Sequence, residues 1–227
     1  MKNALFAGTM SATLAASASA EIAGVVSVSS FKTVSDFSGS AVTVGVTDLY
    51  AISNDAADTL LSVSEFNLIN TATPNYYQSS TGVGWLPTNL GGPFDSQATR
   101  EADSFVTIGG FDTTAEQAPG AGAGISLDAN FGGNTAPAPG IDAGWFTANP
   151  GLASGLVGDT PVGLGVLIGR FSALGTLPVL NGTTLSLTWN QGLGTASSQA
   201  SFVVFFPAPG GLALMTLAGF KERRRRG

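Results

Sequence analysis

The chain has 227 residues, 44% hydrophobic but only 11% charged, with 31 glycines, no histidine and no cysteine. That composition excludes disulfide frameworks, thiol chemistry, histidine-based metal sites and the Ser-His-Asp arrangement, so the fold rests on its apolar core. The net charge of −6 hides an asymmetry: residues 21–206 hold three basic residues, Lys32, Arg100 and Arg170, against fourteen acidic ones, a net −11 that disfavours nucleic acid and anionic lipid as partners.

The first twenty residues read as a cleavable signal peptide. Met1-Lys2-Asn3 supplies a positive charge, Ala4 to Ala16 an apolar run, and Ala18-Ser19-Ala20 the small-x-small exit that signal peptidase cuts, leaving Glu21 as the first mature residue. An amphipathic first helix is the plainer alternative.

From Glu21 the periodicity is that of strands. Val42, Val44 and Val46 alternate, Leu49 to Ile52 prolongs the run, and Asn54-Asp55-Ala56-Ala57-Asp58 closes it as a turn. In Thr59 to Ile69 the inward set slips from Leu61 and Val63 to Phe66 and Leu68, the signature of a β-bulge. Further strands are expected at Ser104 to Ile108, Gly124 to Leu127, Ala143 to Thr147, Val162 to Phe171, Thr183 to Trp189 and Ala200 to Phe206. In the Val162 segment Gly163, Gly165 and Gly169 share one face, which predicts close approach of another backbone. In Thr183 to Trp189, Leu185, Leu187 and Trp189 alternate with Thr184, Ser186 and Thr188, one buried and one hydroxyl-rich face. Between leader and tail no helix of ordinary length shows an apolar stripe with a cap, and no fixed-period repeat is present. About nine strands with irregular loops give the expected fold: all-β, an antiparallel β-sandwich of jelly-roll or immunoglobulin-like type over residues 21–206, one domain.

Few residues offer chemistry. Gly120-Ala121-Gly122-Ala123-Gly124 has GxGxG spacing with no helix behind it and reads as a turn, not a phosphate loop. Glu65, Glu101, Asp103, Asp112 and Glu116 are the catalytic groups in supply, and a glycosidase needs two carboxyls across a cleft; nothing in the sequence singles out a pair. No cofactor is expected. Calcium is the ion that the loop oxygens suit, at Asn54, Asp55 and Asp58 or at Asp128, Asn130 and Asn134, although ordinary Asx turns explain the same residues. Tyr76, Tyr77, Trp85 and Trp145 lie in or beside loop-rich stretches, where an exposed ring can stack on a sugar, while a core or loop-anchoring role is the plainer reading.

The chain ends with Phe205-Phe206-Pro207-Ala208-Pro209-Gly210-Gly211, an apolar run from Leu212 to Phe220, and KERRRRG. Ten or so apolar residues fall short of the twenty that span a bilayer as a helix. A proline turn, a short apolar helix and a basic end nevertheless suit a chain that pauses at the membrane with its arginines on the cytoplasmic side. This block resembles a PEP-CTERM sorting signal: Pro207 and Pro209 match the two prolines, Leu212 to Phe220 the transmembrane run, and Arg223, Arg224, Arg225 and Arg226 the basic end. Ala208 stands where the motif has glutamate. The resemblance covers residues 207–227 and implies an exported substrate of a membrane exosortase, in bacteria that make extracellular polysaccharide. Asp103 to Gly110, Asn75 to Ser80 and Ala143 to Trp145 also resemble stretches of other surface proteins with such tails, which implies a shared exported β domain.

Together these readings lead to a non-enzymatic protein of the cell surface or extracellular matrix. Its expected partners are signal peptidase and exosortase during export, a transient membrane contact through the tail, and extracellular polysaccharide. The alternative is a carbohydrate-binding module using the loop aromatics.

Overall fold

The computed structural model describes residues 21–69, 75–79, 84–87, 93–109, 124–147, 155–192 and 194–205. They form an all-β architecture of two five-stranded antiparallel sheets that share one core. The first sheet runs in the order β1 (Ile22–Ser35), β2 (Ala41–Ser53), β8 (Gly163–Leu174), β4 (Phe105–Val106), with β7 (Gly158–Thr160) also paired to β8. The second runs β10 (Ser198–Val203), β9 (Thr184–Asn190), β3 (Thr59–Asn67), β6 (Ala143–Thr147), β5 (Ile125–Leu127). The five-residue helix α1 (Gln97–Glu101) and a 3-10 turn (Ala129–Phe131) are the helical elements among the described residues.

The alternation read from the sequence explains the core. Val25, Leu49, Ala51, Val166, Ile168 and Phe171 point inward from the first sheet and meet Leu60, Val63, Phe66, Trp145, Leu185 and Leu187 from the second. Phe66 stacks on Phe171 with ring centres 5.5 Å apart, joining the two layers by one aromatic contact. The Gly165 expectation holds: a Cβ there would lie 2.4 Å from the Ala51 carbonyl oxygen on β2, so the strands approach to a distance only glycine permits. At Gly169 the same atom would sit 3.2 Å from the Phe171 ring, whereas Gly163 faces open space.

The slip in β3 is real and larger than expected. Pairing with β9 shifts at Leu60/Ser62 and again at Ser64/Asn67, so the buried set is Leu60, Val63 and Phe66, while Leu61 is only half-buried. Two strands escaped sequence bounds. Among the described residues β1 is the longest strand, its apolar residues interrupted by serines and threonines, and β7 is a three-residue strip of Gly, Asp and Thr.

Candidate functional site

The two sheets present outer faces built on opposite plans. On the first sheet, the β2–β8 register sets Asp48 opposite Arg170. The guanidinium grips that carboxylate with two bonds, Nε to Oδ1 at 2.6 Å and Nη2 to Oδ2 at 3.1 Å. Its Nη1 donates to the Arg100 carbonyl at 2.8 Å, and its carbon lies 5.4 Å above the Phe105 ring. Residues 95–104 lie over this face, and residues 75–79 run along the β8 edge of the sheet. Tyr77 N–H donates to Ser172 O, Ser104 N–H donates to Tyr77 O, and Ala98 and Ala102 pack on Val34, Val44 and Val46. Ser96 caps α1 by accepting from Thr99 N–H.

Those segments hold a buried polar cluster between them. Ser79 N–H donates to Asp103 Oδ1 at 2.6 Å, and hydroxyls of Ser79, Thr99 and Ser96 follow in line at 2.9 Å each. Burial pushes the Asp103 carboxyl up to about 7, against the downward pull of the Ser79 and Ser104 N–H groups and Arg170. Burial and the Asp48 charge push the Tyr50 hydroxyl up to about 12, and burial with Arg170 lowers Lys32. This is chemistry that holds a segment down.

The outer face of the second sheet follows the hydroxyl alternation predicted for Thr183 to Trp189. Strand register aligns Gln199, Thr188, Ser62, Phe146 and Ser126 in one row across all five strands, and Ser201, Ser186 and Ser64 in the next. The bulge in β3 throws Glu65 onto this surface with φ at +52°, where its Oε2 accepts from Ser186 Oγ at 2.6 Å. Ser186 has a single proton and gives it to Glu65, so the 2.8 Å contact to Ser201 Oγ is donated by Ser201. That cover explains why Ser186, expected on an open face, is 1% exposed. Asp142, with φ at +55°, is the second non-glycine residue of positive φ among the described residues. Asn67 ties the two together, its Nδ2 donating to Glu65 O and to Asp142 Oδ1 while its Oδ1 accepts from Asp142 N–H.

The aromatic expectation needs correction. Tyr76, Trp85 and Trp145 are core residues, at 8%, 1% and 0% exposure, with Trp85 and Trp145 edge-on to Phe131. Trp145 Nε1 donates to Thr107 O and Trp85 Nε1 to Ala136 O, so their polar atoms point into the protein as well. Their flanking glycines and prolines look like loop in the sequence, yet the rings fill the space between the sheets, and their faces are closed to a sugar. Tyr77 is half-buried at the rim of the first sheet.

The carboxylates do not converge either. Glu65 sits on the outer face of the second sheet, while Glu101 and Asp103 belong to the segment covering the first. Asp112 and Glu116 lie outside the described residues. The side chains considered for calcium make hydrogen bonds within the chain. Asn54 Oδ1 accepts from Glu21 N–H, Asp55 Oδ1 from Ala57 N–H, and Asp58 Oδ2 from Ser53 Oγ. Asp128 Oδ1 caps the 3-10 turn at Phe131 N–H, Asn130 Nδ2 donates to Asp142 O, and Asn134 Oδ1 accepts from Leu86 N–H. Among the described residues no group of three or more carboxylates is placed to hold a metal ion.

Ala18 and Ala20, the Pro207-Ala208-Pro209 motif and Arg223 to Arg226 lie outside the described residues. No family model, no curated protein and no solved structure matches the chain.

Proposed function

We propose that the chain is a non-enzymatic protein of the cell surface or extracellular matrix, exported by its leader, held briefly at the inner membrane by its tail and trimmed by an exosortase-type enzyme near Pro207 to Pro209. The observation that carries this reading is the order of the two ends: charge, apolar run and Ala18-x-Ala20 exit at the start, prolines, short apolar run and four arginines at the finish. The described geometry is compatible with it. Its buried charges hold segments of the fold together, and its carboxylates lie on separate faces. We assign the two packed sheets to an antiparallel β-sandwich of jelly-roll or immunoglobulin-like type, supported by the chain passing from one sheet to the other between β2 and β3 and between β8 and β9.

A second reading, carbohydrate binding, is favoured by one surface. The outer face of the second sheet offers rows of hydroxyls and an amide around Phe146, a residue 41% exposed, a setting suited to the hydroxyls and apolar face of a sugar. Extracellular polysaccharide would be the ligand. The export reading is tested by isolating the secreted fraction and reading both termini by mass spectrometry, where a mature start at Glu21 and an end near Pro207 are expected. Full-length protein in the cytosol with Met1 and Gly227 intact would sink it. Affinity electrophoresis against polysaccharides separates the two readings, because a structural filler shows no saturable retardation.

A further inference from the structure

We infer that the free edge of β1 is a self-pairing site, through which two copies of the chain join antiparallel about a two-fold axis at Phe31. The inference stands apart from the export reading and rests on backbone geometry. Ser27 N–H donates to Phe205 O at 3.3 Å on the side away from β2, which fixes the odd-numbered residues of β1 as those whose N–H and C=O point outward. Ser35 N–H, of the same parity, donates to Gln97 Oε1 at 3.1 Å. Between these two anchors Ser29, Phe31 and Thr33 aim their backbone groups outward, and no described residue meets them. Donors and acceptors repeating every second residue are matched by an extended backbone and by little else.

Sheet edges are ordinarily guarded by brevity, proline or a projecting charge. β1 has 14 residues, no proline and one charge, Lys32. That lysine gives no guard, because it is half-buried on the outer face of the sheet, among Arg170, Asp48 and Glu101.

The free stretch also states its own register. Positions 27 and 35 are taken and lie equally far from Phe31, so the open groups are symmetric about that residue. A second copy placed with Phe31 opposite Phe31 sets Ser29 against Thr33, and all three outward N–H groups of each copy find a carbonyl. The same register opposes Val28 to Val34 and Ser30 to Lys32, so no charge meets its like. Phe31, 56% exposed in the single chain, gains an aromatic cross-strand partner. Charge does not oppose pairing at this edge, since β1 contains no acidic residue in a domain of net −11.

Sedimentation equilibrium on the full chain tests the pairing, with a concentration-dependent dimer expected and Phe31→Lys weakening it at least about tenfold. Because the chain has no cysteine, the register has its own assay. Under mild oxidation Phe31→Cys should link two copies, since facing residues lie about 5.5 Å apart at Cα. Thr33→Cys should not, because its two copies are offset by four residues, about 13 Å. A monomer at every concentration, a dimer indifferent to Phe31→Lys, or equal cross-linking from positions 31 and 33 would each overturn the inference.

Discussion

The two outer faces divide the work of a chain poor in charge. The first sheet is covered by a segment that buries the sheet's own Asp48–Arg170 ion pair and brings a buried carboxyl and a line of hydroxyls with it. The second keeps its hydroxyls exposed or half-exposed, apart from Ser186 under the Glu65 carboxylate that a strained bulge turns onto it. Both faces begin from the same strand alternation. What separates them is the residues that long-range pairing lays over one and not the other. Charge buried under a cover must find fixed partners, and so it reports on stability; charge on an open face is left for contacts outside the chain.

The largest effect should come from Asp103. A folded carboxyl raised from 3.8 to about 7 holds its proton more tightly than the unfolded chain does. Below about pH 4 both states are protonated, and the stability from this site is fully present. As pH rises through the window the unfolded chain ionises first, so stability falls, by about 4 kcal/mol at the upper bound, and levels off above about 7. Urea midpoints measured from pH 4 to 8 should show that fall in the wild type and lose it in Asp103→Asn, which keeps an oxygen for Ser79 N–H. A wild-type slope shared by the variant would mean that the covered face does not strain its carboxyl.

Arg170 comes next. With side-chain exposures of 10% and 17%, the Arg170–Asp48 pair is closer to a buried bridge than to a surface one. Arg170→Met keeps the bulk over Phe105 but strands Asp48 and the Arg100 carbonyl, at a cost of about 3 kcal/mol read from the urea midpoint. A loss below about 1 kcal/mol would rank the pair with exposed bridges and weaken the contrast between the faces.

Local pattern made much of the second sheet legible and little of the first sheet's cover. The alternation in Thr183 to Trp189 placed Leu185, Leu187 and Trp189 inside, and the slip near Val63 marked the bulge, because both signals lie within one strand. The partner of Ser186 is Glu65, 121 residues away, so its burial had no local sign. Trp85 and Trp145 misled for the same reason, since glycine and proline beside a ring describe the loop that delivers it, not the space it fills. Asp103 looked like one more acid in a row; what sets it apart is Ser79, 24 residues back, and the sheet above which both sit. A positive φ, too, is invisible in Glu65, whose residue type the left-handed region does not favour, while Asp142 is of a type that visits it.

That strain gives the smallest and sharpest test of the open face. Glu65 holds a conformation that costs a residue with a Cβ about 1 kcal/mol, and it is kept there by the Ser186 hydroxyl and the Asn67 amide. Two substitutions separate the contributions. Glu65→Ala removes the carboxylate and keeps the strain, whereas Glu65→Gly removes both, so the glycine variant should be the more stable of the two by about 1 kcal/mol despite the extra freedom of its unfolded chain. Urea midpoints for the pair decide it. If alanine matches or exceeds glycine, the bulge holds no strain and Glu65 owes its place to the Ser186 bond alone. If glycine wins, the fold maintains a costly backbone to set one carboxylate on a hydroxyl-lined surface, and that cost is the physical reason to look for what the surface meets.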